Sequence, residues 1–517
     1  MHFDLSTGRV MQLTELMKTM EIDEVVGPTG QTISSLCCDS RQVKDGALYF
    51  ALPGTKVDGL HYVSEAINNG AVAIVAENRP EQLTADRTLL LVKNARRSMA
   101  LAARCYYEHP SAGIPTIGIT GTNGKTTITY LLESILRQGG YHPAVFGTID
   151  YRFGENQICS SHTTPESIEL MRLMAEFKSQ GANSIVLEVS SHALEQHRTD
   201  GIDFNVAIFT NLTPEHLDYH GDLETYFASK RRLFSELLGE GRAVVNRDDE
   251  FGRRLLDELP IALSFGFEDA DVSVKQVSLE RAGIKGIFNT PEGDVEIDSA
   301  LIGSFNVSNL LAAVAAAASL GVPAEQISAG IKNAPQVPGR VERVANDLGV
   351  LTLVDYAHTG DALEQVLKTL SSLDARKQIT LVGCGGDRDP AKRPVMAGVA
   401  VKYSDLTILT SDNPRTEDPL AILEQMRRGA LETGALECTS ETANDCDGKR
   451  FVVIPDRRAA IRFAVRYAQS GDLLLVAGKG HEDYQIIGHE KMHFDDREEL
   501  LLALTAKQSP ITSEVSK

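Results

Sequence analysis

The sequence predicts an α/β protein of three domains built on mostly parallel sheets. Its 517 residues exceed what one hydrophobic core serves, and the usual domain size of about 100–200 residues gives roughly three domains. Short apolar runs of strand type alternate with helical segments along most of the chain, and this alternation indicates crossover connections between parallel strands. Apolar residues make up 42% and charged residues 24%, so the composition is that of a folded globular protein.

The first predicted domain spans residues 1–112. ALYFAL (47–52) and AVAIVA (71–76) are apolar runs of strand length, and NARRSMALAARCYYEH has helical spacing. HPSAGIP (109–115) contains the Pro and Gly that are typical of a linker, and a strand-like stretch follows it. We therefore predict a domain boundary near residue 113.

Two further α/β domains are predicted at 113–337 and 338–517. The Ala-rich LLAAVAAAASLGV (310–322) predicts a buried core helix in the first of them, since it is too short to cross a membrane. The strand candidates are TIGIT (116–120), SIVLEV (184–189), VAIFTN (206–211), AVVN (243–246), LTLVDYA (351–357), QITLVGCGG (378–386), LTILTSDN (406–413) and LLLVAGKG (473–480).

Charge and composition argue against several classes of function. A formal net charge of −20 makes nucleic acid an unlikely partner, and any anionic ligand must be met by local basic groups. No signal peptide and no membrane span are expected, because no sufficiently long apolar run occurs. The seven cysteines are scattered without zinc-type spacing, so we expect free thiols and a cytoplasmic location. Nothing in the sequence explains the Cys37-Cys38 pair.

A glycine-rich turn lies in GITGTNGKTTITYLLESI (118–135), between a strand candidate and a helix candidate. The strict P-loop pattern has Gly where Ile119 stands, but the stretch from Gly121 to Thr127 keeps its physical logic. Glycines let backbone N–H groups converge on phosphate, Lys125 adds a positive charge, and a threonine hydroxyl can ligate Mg²⁺. A helix starting at the threonines adds the positive end of its dipole. The stretch therefore predicts ATP binding.

Three residues outside this loop are candidates for chemistry. Glu188 ends the run SIVLEV, so in a parallel sheet it would lie at the carboxyl ends of the strands, where ligands bind in this architecture. His216, in TNLTPEHLDYHG, is expected directly after a strand. Lys230, in YFASKRRLF, has the pattern of a solvated helix lysine, and its spacing alone favours nothing more.

Taken together, these stretches resemble the Mur ligase family. The motifs that carry the resemblance occur in family order over roughly residues 35–490. They are TGTNGKTT (120–127), HTTPE (162–166), EVSSHALEQHR (188–198), TNLTPEHLDYHG (210–221), Lys230, GSFNVSN (303–309), PGR (338–340), DYAHT (355–359), GCGGDRD (383–389), DNPR (412–415) and GKGHEDYQ (478–485).

The resemblance implies an N-terminal UDP-binding α/β domain, a central P-loop ATPase-like domain with a mostly parallel sheet, and a C-terminal Rossmann-like α/β domain. It implies an enzyme that joins an amino acid to the γ-carboxylate of D-glutamate in the peptidoglycan precursor UDP-MurNAc-L-Ala-D-Glu. ATP would convert the carboxylate to an acyl phosphate, which the amine attacks through a tetrahedral intermediate. We expect small-molecule substrates and a monomer.

For catalysis, the resemblance implies roles for Lys125, Glu188, His216 and Lys230. Thr126 and Glu188 would serve one Mg²⁺, and His216 with Lys230 a second. The family lysine at this position is carbamylated by CO₂, which creates an anionic oxygen ligand suited to Mg²⁺. The implied ATP contacts are Gly121, Thr122, Asn123, Gly124, Lys125, Thr126, Thr127, Asn306, Asn309, Arg340, Asp355 and His358.

For the UDP-sugar peptide, the resemblance places Asp39, Ser40 and Arg41 in the region that receives uridine diphosphate. On their own, Thr163 and Thr164 would be interpreted as a helix N-cap before Pro165. The implied contacts to the muramoyl dipeptide are Thr163, Thr164, Ser190, Gln196 and Arg198.

The amino acid is expected to be meso-2,6-diaminopimelate, because DNPR is the form of this motif associated with it. Arg415 can bind the extra carboxylate through two parallel hydrogen bonds, and Glu482 can accept a hydrogen bond from the distal ammonium. Without the resemblance, Asp-Asn-Pro-Arg would be interpreted as a turn. The implied contacts are Arg388, Asp412, Asn413, Pro414, Arg415, Gly478 and Glu482.

Three alternatives stay open. An L-lysine-adding ligase shares fold and mechanism but is not expected to have Arg at 415. A folylpolyglutamate synthetase would use the same ATP site without the HTTPE and DNPR motifs. A nucleotide-dependent regulatory protein that has lost turnover is not expected to keep Glu188, His216 and Lys230, and all three are present.

Overall fold

The computed structural model describes residues 9–54, 58–81, 85–444 and 448–508. Packing divides the chain into two compact units. The first consists of Met1–Val274, Phe288–Val295 and Ser308–Gly330, and the second of Lys275–Ile287, Glu296–Val307 and Ile331–Lys517. The predicted α/β class with mostly parallel sheets is confirmed. The domain limits 1–112, 113–337 and 338–517 stay a prediction, and packing groups the first two of these regions together.

The N-terminal part of the first unit contains a five-stranded sheet. Its spatial order is Ile22–Val26, Thr88–Val92, Ala71–Ala76, Ala47–Ala51 and Ser35–Cys37. The first strand pairs antiparallel and the others pair parallel. A small antiparallel pair, Met11–Gln12 with Thr32–Ile33, lies apart from this sheet. The helices are Leu13–Met17, Ser40–Gln42, Gly59–Tyr62, Val63–Asn68 and Ala95–Tyr106, the second and third being 3₁₀ turns.

A larger sheet follows, with the predicted P-loop strand inside it. Eight of its eleven strands are, in spatial order, Asn156–Cys159, Asp150–Phe153, Pro143–Phe146, Ser184–Glu188, Thr116–Thr120, Val206–Phe209, Arg242–Asn246 and Leu263–Gly266. The strands from Pro143–Phe146 onward pair parallel, so their carboxyl ends share one edge. The helices are Lys125–Gln138, Ser167–Ser179, Ser191–Glu195, Leu217–His220, Leu223–Arg232, the π turn Leu233–Leu237 and Glu250–Glu258.

One apolar core serves both sheets of the first unit. Helix Ala95–Tyr106 packs against helix Ser167–Ser179, and their buried residues recur at helical spacing, such as Met99, Tyr106 and Met171. Burial of such amphipathic faces, and not intrinsic propensity, is the main source of stability for helices of this length.

The second unit is built on a seven-stranded sheet. Its order is Glu342–Arg343, Leu351–Asp355, Leu473–Ala477, Gln378–Cys384, Leu406–Ser411, Arg450–Val453 and Leu436–Glu437. All pairs are parallel apart from the first. An antiparallel hairpin, Tyr484–Ile487 with Glu490–His493, follows strand Leu473–Ala477 in the chain. The helices are Gly360–Leu370, Lys392–Tyr403, Pro419–Glu432, Arg457–Tyr467 and Asp496–Gln508.

Five elements have residues in both units, and they are Val272–Glu280, Gly283–Thr290, Gly293–Ser299, Ser304–Ser319 and Ala324–Lys332. The eight predicted strands of the second and third regions are confirmed within one to three residues of their predicted ends, as are the strand at 71–76 and the buried helix around 310–322. Within the described ranges, no helix is both long and apolar enough to cross a membrane.

Candidate active site

The glycine-rich turn takes the backbone shape that the sequence predicts. Gly121 directly follows strand Thr116–Thr120 and has a φ of 144°. Gly124 directly precedes helix Lys125–Gln138 and has a φ of 91°. A Cβ on Gly121 would lie 1.8 Å from the Thr210 hydroxyl, and one on Gly124 would lie 2.3 Å from Asn309 Oδ1. Only glycine fits either position, so the loop keeps the open backbone that a phosphate requires.

Lys125 folds back over this loop. Its Nζ donates to the Gly121 carbonyl at 2.7 Å and to the Thr122 carbonyl at 2.8 Å. The predicted start of the helix at the threonines is one residue late, since the helix begins at Lys125 itself. The ammonium therefore lies at the mouth of the turn, where it can transfer its donors to phosphate oxygens.

Glu188 lies where the sequence predicts, at the last position of strand Ser184–Glu188, and it is buried. Its Oε2 accepts from the Thr126 hydroxyl at 3.1 Å and from the Thr148 hydroxyl at 2.9 Å, and its Oε1 accepts from the Thr148 amide at 3.0 Å. Both oxygens of the buried carboxylate thus accept at least one hydrogen bond. The structure brings two of the predicted magnesium ligands, Thr126 and Glu188, into direct contact.

Lys230 is buried, which makes the interpretation as a solvated helix lysine wrong. It lies on helix Leu223–Arg232 with only 1% of its surface exposed, and its Nζ is 4.4 Å from the centre of the Tyr226 ring. Burial lowers its pKa well below the usual range, the positive charge of Lys125 lowers it further, and Glu215 opposes both. The helix therefore presents an amine that is poorly able to hold a proton.

His216 differs from its predicted position. It does not follow a strand directly, because strand Val206–Phe209 ends well before it and His216 instead caps helix Leu217–His220. Its φ is 57°, in the left-handed region, and the residue is exposed. Its ring lies 5.0 Å from that of His192 and 6.3 Å from that of Tyr226. His216 and Lys230 thus both neighbour Tyr226, whose hydroxyl lies 3.3 Å from that of Thr122 in the turn.

The side chains around the turn supply some of the oxygen ligands that a Mg²⁺ ion requires. The Thr126 hydroxyl and the Glu188 carboxylate are the hard oxygen ligands that Mg²⁺ prefers. In the described part of the chain, no three His, Cys, Asp or Glu side chains gather as a metal site. The remaining positions around an ion would therefore be filled by phosphate oxygens and water, as is usual for Mg²⁺ with nucleotides.

The five residues predicted to contact the muramoyl dipeptide form a connected cluster. The Thr164 hydroxyl donates to the Glu188 carbonyl at 2.8 Å and accepts from the Ser190 amide at 3.1 Å. Arg198 donates to the Thr164 carbonyl at 2.9 Å and to Gln196 Oε1 at 2.8 Å. Thr163 joins through the Thr148 hydroxyl at 3.1 Å.

These contacts correct the interpretation of Thr163 and Thr164 as a helix N-cap. The cap position of helix Ser167–Ser179 is Glu166, without a side-chain capping bond. The Thr164 hydroxyl is used instead to join two chain segments beyond the end of strand Ser184–Glu188. Local sequence favours the cap, but the Thr164 hydroxyl instead bonds backbone groups that are distant in the chain.

Ser40, assigned to the uridine region, lies in a 3₁₀ turn that Asp39 caps. Its hydroxyl donates to Glu65 Oε2 at 2.6 Å, and Asn69 donates to its carbonyl at 2.9 Å. Arg41 pairs with Asp39 at 2.7 Å and is largely exposed. No contact in this turn joins it to the dipeptide cluster among the described residues.

Asn309 is the one predicted ATP contact of the first unit that lies outside the turn, and its side chain lies against Gly124. Four more predicted nucleotide residues belong to the second unit, and they are Asn306, Arg340, Asp355 and His358. Asp355 ends strand Leu351–Asp355 and accepts from the Val341 amide at 2.8 Å and the Ala357 amide at 2.7 Å. Burial raises its pKa, and Arg340 opposes this.

Arg340 and His358 both flank Tyr356. The Arg340 guanidinium is 4.9 Å from the centre of its ring, and the His358 ring is 4.7 Å away. His358 Nδ1 lies 3.0 Å from the Tyr356 carbonyl. Arg340, Asp355 and His358 are therefore neighbours at the end of strand Leu351–Asp355, whereas Asn306 donates to the Ile302 carbonyl at 2.8 Å.

The predicted amino-acid residues meet at the carboxyl edge of the second sheet. Asn413 Nδ2 donates to Glu482 Oε2 at 2.9 Å, and Gly478 follows strand Leu473–Ala477 with a φ of 116°. Asp412 directly follows strand Leu406–Ser411 of the same sheet, and both Asp412 and Asn413 are buried. Arg388 is exposed, and its Nη1 donates to the Asp387 carbonyl at 3.3 Å.

Arg415 is held by contacts with backbone groups. Its φ is 53°, and its backbone joins the hairpin strand through the Ile486 carbonyl at 3.1 Å and the Gly488 amide at 2.7 Å. Nη1 donates to the Gly386 carbonyl at 2.8 Å. Among the residues that the structure describes, Arg415 forms no ion pair with a carboxylate. A guanidinium held by backbone carbonyls retains the fork that binds a carboxylate bidentately.

Sequence reasoning missed three residues at these sites. Thr148 bonds both Glu188 and Thr163, and its signal was the Gly-Thr pair directly after the apolar PAVF. Tyr226 lies one helical turn before Lys230 and is buried. Lys479 is 0% exposed and contacts Asp412 and Asn413. The signal for Lys479 was its place inside the GKGHEDYQ motif, whereas no feature of the sequence separated Tyr226 from ordinary core residues.

Comparison with known proteins matches three family models in chain order. Residues 32–107 match the Mur ligase family, catalytic domain, residues 119–317 match the Mur ligase middle domain, and residues 339–480 match the Mur ligase, glutamate ligase domain.

A curated protein and two solved structures are similar along most of their length. UDP-N-acetylmuramoyl-L-alanyl-D-glutamate–2,6-diaminopimelate ligase of Geobacter metallireducens is 49% identical over 502 residues, which cover 95% of this chain and 98% of that protein. A solved structure of an enzyme with the same name has a TM-score of 0.71 and 33% identity and covers 97% and 100% of the two chains. MurF ligase from Thermotoga maritima in complex with ADP has a TM-score of 0.58 at 19% identity, with coverage of 92% and 97%, and supports the fold alone.

Proposed function

The chain belongs to the Mur ligase family, and from this premise we propose that it catalyses ATP-dependent addition of meso-2,6-diaminopimelate to UDP-MurNAc-L-Ala-D-Glu. The new amide would form at the γ-carboxylate of D-glutamate, with release of ADP and phosphate, in the synthesis of a peptidoglycan precursor. The choice of amino acid rests on Arg415, whose guanidinium forms no ion pair with a carboxylate among the described residues. Arg415 lies beside the partly buried contact between Asn413 and Glu482.

The chemistry follows from the weakness of a carboxylate as an acyl donor. Phosphorylation turns the γ-carboxylate into an acyl phosphate with a good leaving group, and the amine then attacks through a tetrahedral intermediate. Lys125 would move its donors from the turn's carbonyls to phosphate oxygens, where they oppose the charge that develops during transfer. The contacts that we propose for ATP also include Gly121, Thr122, Asn123, Gly124, Thr126, Thr127, Asn306, Asn309, Arg340, Asp355 and His358.

We assign Thr126 and Glu188 to hold one Mg²⁺, and His216 with Lys230 to hold a second. When bound, Mg²⁺ supplies positive charge that neutralises the phosphate oxygens. Lys230 would serve as its carbamate, since a lysine ammonium repels a metal ion. Carbamate formation requires the neutral amine to attack CO₂ and lose a proton, and the lowered pKa of Lys230 supports this assignment.

We place the muramoyl dipeptide on the cluster of Thr163, Thr164, Ser190, Gln196 and Arg198. This cluster is joined to Glu188 through Thr164 and Thr148, so a peptide held there would lie next to the proposed phosphate site. Arg198 supplies the positive charge of the cluster, although Glu166 pairs with it at 2.9 Å. Ser40 and its neighbours are proposed to receive the uridine diphosphate.

Phosphate release with purified protein tests the proposed function. We expect release to require ATP, Mg²⁺, UDP-MurNAc-L-Ala-D-Glu and an amino acid together, and to favour meso-2,6-diaminopimelate over L-lysine. Preference for L-lysine would keep the ligase and discard the assignment of the amino acid. Release without the nucleotide peptide would indicate a plain ATPase, and no release under any combination would overturn the proposal.

Arg415→Lys is expected to raise the KM for diaminopimelate by roughly tenfold or more, because a single ammonium cannot replace two parallel N–H donors. The KM for ATP should stay unchanged. Initial rates over a range of diaminopimelate concentrations measure both effects. The matched control is Arg428→Lys, a largely exposed arginine of the same unit. An unchanged KM for diaminopimelate would remove Arg415 from recognition.

A further inference from the structure

Lys479 is a charged residue of the second unit whose side chain is 0% exposed. A lysine ammonium has three N–H donors and no acceptor, and three acceptors surround this one. Asp412 Oδ1 and Asn413 Oδ1 each lie 3.3 Å from Nζ, and Glu482 Oε2 lies 3.6 Å away. All three partners belong to the proposed amino-acid site, yet Lys479 itself has no role in the reaction as proposed above.

The contacts of Lys479 determine how the Asn413 amide is oriented. The Asn413 Oδ1 accepts from Lys479 and from the Ile486 amide, the latter at 2.9 Å. The Asn413 Nδ2 therefore faces Glu482 and donates to its Oε2 at 2.9 Å. Because both donors to Oδ1 lack acceptor capacity, the reversed amide would place N–H groups against N–H groups. The ammonium and the Ile486 amide therefore together favour the one orientation in which Asn413 donates to the Glu482 carboxylate.

Lys479 also balances charge in a poorly solvated place. The side chains of Asp412 and Glu482 are 12% and 19% exposed, and two nearby carboxylates without a cation would resist ionisation together. Burial and Asp412 raise the pKa of Glu482, while Lys479 lowers it. The other charged or titratable groups that act on or near Glu482 are Arg457, Tyr356 and Tyr484.

We propose that Lys479 is a positioning residue for the amino-acid substrate, one that orients Asn413 and Glu482 so that the Glu482 carboxylate meets the substrate's distal ammonium. The proposal rests on the function proposed above. Lys479 makes no contact with the substrate in this account and acts only through the two side chains that it holds.

Lys479→Met tests this role through a split between kinetic constants. We expect the KM for diaminopimelate to rise roughly ten- to a hundredfold, the range for loss of hydrogen bonds to a charged group, while the KM values for ATP and UDP-MurNAc-L-Ala-D-Glu change little. Lys402→Met, an exposed lysine of the same unit, is the matched control. Equal increases in all three KM values, or an unchanged KM for diaminopimelate, would overturn the proposal.

A pH profile and a double variant separate positioning from general structural damage. Without Lys479, protonation of Glu482 should extend to higher pH, so the KM of Lys479→Met for diaminopimelate should fall with rising pH more steeply than that of the wild type. In a Glu482→Gln background, Lys479→Met should add little. Effects on KM that multiply independently would contradict action through Glu482.

If Lys479→Met does not fold, Lys479→Met/Asp412→Asn removes one buried carboxylate together with the ammonium, and the same rise in KM relative to Asp412→Asn alone is expected. Its absence would overturn the proposal. The wild type distinguishes the two levels of inference. Absence of diaminopimelate-dependent phosphate release in the wild type defeats the proposed function, whereas normal release with an unaffected Lys479 variant defeats only the role of Lys479.

Discussion

Lys125→Ala is expected to reduce turnover by roughly a hundred- to a thousandfold, the usual loss when one preorganised charge in a transition state is removed. Lys125 is the ammonium that lies over the phosphate-binding turn. The fold should be retained, because the glycines and the helix start do not depend on the lysine side chain. Phosphate release at saturating substrates measures the effect.

Two controls make the Lys125 result specific. Lys18→Ala removes a largely exposed lysine of the same unit and should leave turnover unchanged. A thermal unfolding curve of Lys125→Ala should lie close to that of the wild type, lowered only by the loss of the two Lys125 hydrogen bonds to turn carbonyls. Turnover within a fewfold of wild type in Lys125→Ala would remove this residue from phosphate transfer and weaken the assignment of the turn.

Lys230→Ala is expected to lose activity to a similar extent, because it deletes the proposed carbamate. The shortened side chain leaves a space in which a small carboxylate can lie, so acetate or formate should restore part of the activity. The wild type should also lose activity when CO₂ and bicarbonate are removed, and more so at low pH. The sign follows from the lowered pKa of Lys230, since the neutral amine that reacts with CO₂ disappears as the pH falls through that pKa.

Lys125→Ala is the matched control for this rescue. In the proposed mechanism Lys125 acts through a positive charge and Lys230 through the negative charge of its carbamate, so carboxylates should not restore Lys125→Ala. Rescue of both variants would show a nonspecific salt effect. Observation of the carbamate carbon by ¹³C NMR after labelling with ¹³CO₂, and its loss in Lys230→Ala, would support the modification independently of activity. Absence of a carbamate signal from labelled wild type would contradict the modification.

Periodicity and turn chemistry made much of the fold predictable. Stretches such as TIGIT and LLLVA are apolar runs of strand length, and they form buried parallel strands at the positions expected. Gly121 and Gly124 could be assigned to a phosphate-binding turn because the requirement for an open backbone is local. The position of Glu188 at a strand end followed from the same local pattern.

Other features depend on partners that are distant in the chain. Lys230 has the local pattern of a solvated lysine, and only packing of its helix makes it buried. Thr164 has the local pattern of a cap, but it bonds Glu188 and Ser190 across the sheet edge. His216 was expected directly after a strand and lies in a left-handed cap instead.

The sequence by itself determined the α/β class, ten of the strands, the glycine-rich turn and the family, because each depends on short-range patterns or on motifs in order. Only the tertiary structure decided which side chains are desolvated and which polar groups meet. Burial of Lys230, the amide orientation of Asn413 and the enclosure of Lys479 arise where separate segments converge. The physical reason is that desolvation and hydrogen-bond pairing depend on the surroundings of a side chain in space, which neighbouring residues in the sequence do not specify.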